Sequence, residues 1–80
     1  MTLLEAYARR VLESKGLQHQ VALSILRDYM RSQPVEKLIA EIDAIYDLDV
    51  LRALWEAGLR RPLYDHVIRR IEILTGRRMT

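Results

Sequence analysis

Cysteine, phenylalanine and asparagine are missing from this 80-residue chain, and the first of these absences removes two classes of answer. No disulfide framework can staple the fold, and no thiolate can hold a metal ion. Glycine occurs three times and proline twice. The glycines, Gly16, Gly58 and Gly76, stand alone, so there is no glycine-rich loop to cradle a phosphate and nucleotide hydrolysis is not expected. Long hydrophobic runs are also lacking. Charges interrupt every stretch long enough to cross a bilayer, and the opening MTLLEAYARRVLE has neither the charged start nor the unbroken apolar run of a secretory signal. A cytoplasmic protein without a membrane partner is the expectation. No run alternates with period two, so strands are not expected.

What is present is 50% hydrophobic and 30% charged, too apolar for a disordered segment and ordinary for a packed helical one. The length predicts one domain over residues 1–80. A chain of this size buries only about 60 to 65% of its unfolded surface, so its stability is thin and a partner surface, including that of a second copy, would add to it.

Helix signals recur along the whole chain. Thr2 and Glu5 have capping-box spacing. Leu4, Tyr7, Ala8, Val11 and Leu12 then repeat at three and four residues, and Gly16 is placed to end that helix, about Leu3 to Lys15, in the left-handed conformation. Val21, Ala22, Ile25, Leu26, Tyr29 and Met30 form a second stripe, about Gln18 to Arg31. Ser32-Gln33-Pro34 breaks it, and Pro34 suits the first turn of a third helix carrying Val35, Leu38, Ile39, Ile42, Ile45 and Tyr46. Asp47 is a natural cap for a fourth, with Leu48, Leu51, Leu54 and Trp55 facing inward and Gly58 closing it. Pro62 opens a fifth, with Leu63, Val67, Ile68, Ile71 and Leu74 facing inward up to Gly76, and residues 77–80 read as a short basic tail. The fold class is therefore all-α, a compact bundle of about five short helices with links of two to five residues.

Catalytic chemistry finds little support. His19 and His66 sit on different predicted helices with no cysteine to join them, so surface or half-buried histidines are the simpler reading than a zinc site. Ser14, Ser24 and Ser32 occupy no strained turn of the kind that presents a nucleophile. Glu41, Asp43, Asp47 and Asp49 lack the mid-loop glycine and terminal glutamate of a calcium loop. Asp47 and Asp49 read as helix-start charges, and Glu41 and Asp43 as the wet face of the third helix. The expectation is a chain that is not an enzyme, with no cofactor, no metal and no small-molecule substrate.

The charge is uneven. Residues 1–31 balance at +2, residues 32–57 at −4 and residues 58–80 at +4. The last segment's cations are all arginines: Arg60, Arg61, Arg69, Arg70, Arg77 and Arg78. Paired guanidiniums grip phosphates well, which makes this edge a candidate nucleic-acid surface. The plainer reading has them solvated, opposing a helix dipole or paired with Asp65, Glu72 and the acidic middle segment. The aromatics Tyr7, Tyr29, Tyr46, Trp55 and Tyr64 fall on or beside the apolar stripes, where core placement is expected. Trp55 and Tyr64, flanking the fourth link, are the pair most suited to anchoring a partner.

The stretch Leu51-Arg52-Ala53-Leu54-Trp55-Glu56-Ala57-Gly58-Leu59 looks like the end of a winged-helix recognition helix, but a helical pattern follows Pro62 where that family would place a β-hairpin. The segment Asp47-Leu48-Asp49-Val50-Leu51-Arg52-Ala53-Leu54 followed by Pro62-Leu63 resembles a HEAT-type helical hairpin over residues 47–74. That resemblance implies a helical protein-binding surface, although no second copy completes a solenoid. Residues and resemblance together lead to one expectation, a non-catalytic interaction module that binds a protein partner or self-associates as a homo-oligomer. The alternative is a small nucleic-acid-binding protein using the arginine-rich fifth helix.

Overall fold

Residues 1–76 are described by a computed structural model in which five helices follow one another: α1 (Leu3–Glu13), α2 (Leu17–Ser32), α3 (Val35–Asp43), α4 (Leu48–Ala57) and α5 (Arg61–Thr75). Among these residues no strand forms, so the all-α expectation holds. Helix α4 occupies the middle, packing on α1, α2 and α5, while α3 packs on α1 and α5. Its sequence explains the placement. Val50, Leu51, Ala53, Leu54 and Ala57 are all buried, an arc too broad for one neighbour, and the two alanines let other helices approach closely.

The helix starts show which local signals act. Thr2 Oγ1 accepts the Glu5 N–H at 3.2 Å, which is half of the capping box. The other half is absent because the Glu5 carboxylate accepts from Arg9 at 2.8 Å instead. Asp47 caps α4 by accepting the Asp49 N–H at 2.9 Å. Pro34 stands just outside α3 as its N-cap, without a side-chain bond. Gly16 differs from the expectation. It adopts φ 62° and ψ −134° and precedes α2, while α1 ends earlier on an extended Ser14. Gly76, with φ 68° and ψ 17°, is the left-handed terminator.

The core is one cluster that includes Leu4, Val11, Leu26, Leu38, Ile42, Ile45, Leu51, Leu54, Leu63 and Val67. Five predicted inward positions instead face water at least in part: Leu12, Val21, Ile25, Leu48 and Trp55. On α2 the cause is arithmetic. Leu17, Val21, Ala22, Leu23, Ile25, Leu26, Tyr29 and Met30 spread around more than half the helix, and the neighbours cover only the side of Ala22, Leu23, Leu26, Tyr29 and Met30. Tyr46 also leaves the stripe. Helix α3 stops at Asp43, so Ile45 turns into the core while Tyr46 is 78% exposed.

Glu41 reverses its expected place. It is 8% exposed, with Oε2 accepting the Leu4 N–H at 3.1 Å and Oε1 accepting the Tyr29 hydroxyl at 2.9 Å. The start of α1 lands on α3, and Glu41 supplies an acceptor for a backbone donor that a helix start leaves unpaired.

Candidate functional site

Two surface features stand out from this frame, one apolar and one basic. The apolar feature follows from the surplus on α2. Leu17, Val21 and Ile25 recur every four residues and so share an edge of the helix. They are 86%, 58% and 41% exposed. Together with Arg10 and Glu13 of α1 they line a groove of about 570 Å³. Among the described residues, neither Arg10 nor Glu13 enters an ion pair or side-chain hydrogen bond. This contiguous apolar strip, flanked by one free cation and one free anion, is the candidate site.

The aromatic pair sits elsewhere. Trp55 of α4 and Tyr64 of α5 meet edge to face with centroids 5.4 Å apart. Trp55 is 37% exposed and Tyr64 half-buried. Their contact joins α4 to α5.

The arginines of the last segment divide by task. Arg60 donates from Nη2 to the Met30 carbonyl at 3.1 Å. Arg70 donates from Nε to the Ile45 carbonyl at 2.8 Å, with its guanidinium 4.7 Å from the centre of the Tyr46 ring. Both therefore fasten loop or helix-end carbonyls. Arg61 and Arg69 carry no ion pair among the described residues, and Asp65 lies between them at four-residue spacing. Arg77 and Arg78 lie outside the described residues.

The histidines do not converge. His19 places Nδ1 3.1 Å from the Val11 carbonyl and Nε2 2.7 Å from the Glu56 carboxylate. Both partners are acceptors only, so the ring must carry a proton on each nitrogen to make both bonds. Its pKa is accordingly raised, first by the Glu56 hydrogen bond and against some burial. His66 lies 3.9 Å from Asp43. Among the described residues no three histidine, aspartate or glutamate side chains group as a metal site would require, and no helix is long and apolar enough to cross a membrane.

No family model, curated protein or solved structure matches the chain. Residues 47–74 do form two successive helices, α4 and α5, as the HEAT-type resemblance implies, but without a family match the pair says only that they are adjacent helices.

Sequence reasoning did not single out the α1–α2 groove, nor Arg27 and Arg31. A signal for the groove exists in the count of apolar positions on α2, which exceeds what one stripe needs. For the two arginines there is only their four-residue spacing, which says nothing of the loop they approach.

Proposed function

We propose that the chain is a non-catalytic interaction module that docks apolar helical surface into the α1–α2 groove, and that the occupant is the same face of a second copy. The observation that carries this is the exposed edge of Leu17, Val21 and Ile25 beside a single unpaired cation and a single unpaired anion. A two-fold axis brings a patch against itself. Arg10 of one copy then meets Glu13 of the other twice over, while the two leucine–valine–isoleucine edges exclude water from each other. Such an interface also supplies the burial that so short a chain lacks.

Sedimentation equilibrium from micromolar to millimolar protein tests the reading. The expected result is a mass rising toward twice the monomer, and a monomer mass throughout for Val21→Glu with an unchanged helical spectrum. A wild-type chain that stays monomeric at millimolar concentration overturns self-association through this face.

A second reading is nucleic-acid binding along α5, and the unpaired Arg61 and Arg69 favour it. Its test is the anisotropy of a labelled oligonucleotide. Binding at low salt that weakens as salt rises supports it, and the absence of binding at low salt ends it.

A further inference from the structure

Three arginines converge on a concavity that the docking face does not use. Arg27 and Arg31, four residues apart on α2, and Arg60, the residue preceding α5, line a pocket of about 280 Å³ whose walls also include Met30, Leu59 and Leu63. Among the described residues no carboxylate lines it. Among the described residues none of the three arginines forms an ion pair. Three positive charges drawn together without a counter-charge repel one another, so the arrangement needs a reason.

Two of the three are held in place. Arg27 Nε donates to the Ala57 carbonyl at 2.6 Å, and Arg60 Nη2 to the Met30 carbonyl at 3.1 Å. Ala57 ends α4 and Met30 lies in the last turn of α2, where helix carbonyls lack intrahelical partners. Each anchoring bond uses one donor of a five-donor fork. The remaining donors are left for a ligand, on side chains whose freedom is already restricted, and such preorganisation lowers the entropy of binding. Helix α5 adds to the same field. It begins with no side-chain cap and no acidic residue in its first turn, so its positive end lies beside Arg60 and Leu63 on the pocket wall.

We infer that this pocket binds a phosphate monoester. A carboxylate is satisfied by a single fork, whereas a dianion with three free oxygens matches three guanidiniums. The volume is just under the range of about 300 to 1,000 Å³ typical of ligand pockets, which suits a phosphate and a small attached group. Leu59, the half-buried apolar residue of the wall, meets the apolar part of whatever carries the phosphate, over the buried Met30 and Leu63. The site is independent of the α1–α2 groove, because the residues lining the two pockets do not overlap.

The test is an amide NMR titration of the isotope-labelled full chain with inorganic phosphate, with phenyl phosphate and with an oligonucleotide lacking terminal phosphates, ionic strength being held constant with sodium chloride. Saturating shifts at residues 58–64 are expected with both phosphates, with phenyl phosphate binding several-fold more tightly because its ring meets the apolar wall. Among the described residues the Arg31 side chain makes no hydrogen bond or ion pair, so Arg31→Gln should leave the fold unchanged and weaken phenyl phosphate by about tenfold, the size of one charge-assisted hydrogen bond. Val21→Glu should bind it as the wild type does. Shifts that never saturate, an oligonucleotide bound as tightly as phenyl phosphate, or an Arg31→Gln variant of unchanged affinity each overturn the proposal.

Discussion

The Leu4 N–H and the Glu41 carboxylate, 37 residues apart in the chain, meet at 3.1 Å inside the protein. The other oxygen of the same carboxylate takes the Tyr29 hydroxyl at 2.9 Å, so one side chain joins α1, α2 and α3. Glu41→Ala orphans two buried donors and opens a void, for a loss of about 2 to 4 kcal/mol. Glu41→Gln keeps an acceptor for Leu4 and turns its amide toward the Tyr29 oxygen, so it loses about 1 kcal/mol, mainly the negative charge at the start of α1. Urea unfolding of the two variants measures the difference. If Glu41→Ala costs no more than Glu41→Gln, the carboxylate does not hold the three helices together.

Tyr29 makes stability depend on alkaline pH. Its pKa is pushed up to about 12 from 10.0, first by burial and then by its bond to Glu41. The unfolded chain releases this proton at lower pH than the folded one, so the contribution is complete below pH 10 and declines as pH rises toward 12. Denaturation midpoints should therefore fall across that window. The part due to Tyr29 should vanish in Tyr29→Phe, and absorbance titration of the wild type should show a late tyrosine step near pH 12 that this variant lacks.

His19 acts in the opposite range. Its bond to Glu56 raises its pKa above the ordinary histidine value, so the stabilisation is present below the unfolded pKa and is lost as pH rises through the folded one. An NMR titration of the imidazole should place its midpoint above 6.5. Glu56→Gln should lower that midpoint, and an unchanged midpoint would mean that the 2.7 Å contact does not persist in solution.

Gly58 and Gly76 separate backbone strain from crowding. A Cβ added at either meets nothing within 4 Å, so any loss belongs to φ and ψ alone. Gly58 has φ 94° and ψ 127°, a region other residues scarcely enter, and Gly58→Ala should cost about 1 to 3 kcal/mol. Gly76 is in the left-handed helical well, where Gly76→Ala should cost about 1 kcal/mol. Equal thermal shifts for the two would contradict this ordering.

The number, order and approximate limits of the helices were readable because each carries its own period and punctuation: Thr2, Pro34, Asp47, Pro62 and Gly76 act within one turn of where they stand. Burial was readable only where a stripe was narrow. Val67 and Ile71 of α5 are buried as expected, while on α2 the apolar arc was too wide to say which edge would be left outside, and it was the edge of Val21 and Ile25. The role of Glu41 had no local mark. An acidic residue on an amphipathic helix reads as solvated until one knows that another helix begins against it. The same holds for Arg27 and Arg60, whose carbonyl partners lie 30 residues away.

The debt of α1 to Glu41 also orders events in time. As the chain leaves a ribosome, α1 precedes α3, so the acceptor for its Leu4 amide arrives only with α3, while the surfaces it packs against arrive in parts, α2 before α4. A lone segment of eleven residues is too short to hold a helix in water. A complete α1, with its Leu4 amide paired and both packing faces covered, therefore requires α2, α3 and α4 to have followed it, so that the earliest of the five helices is not the first to be finished.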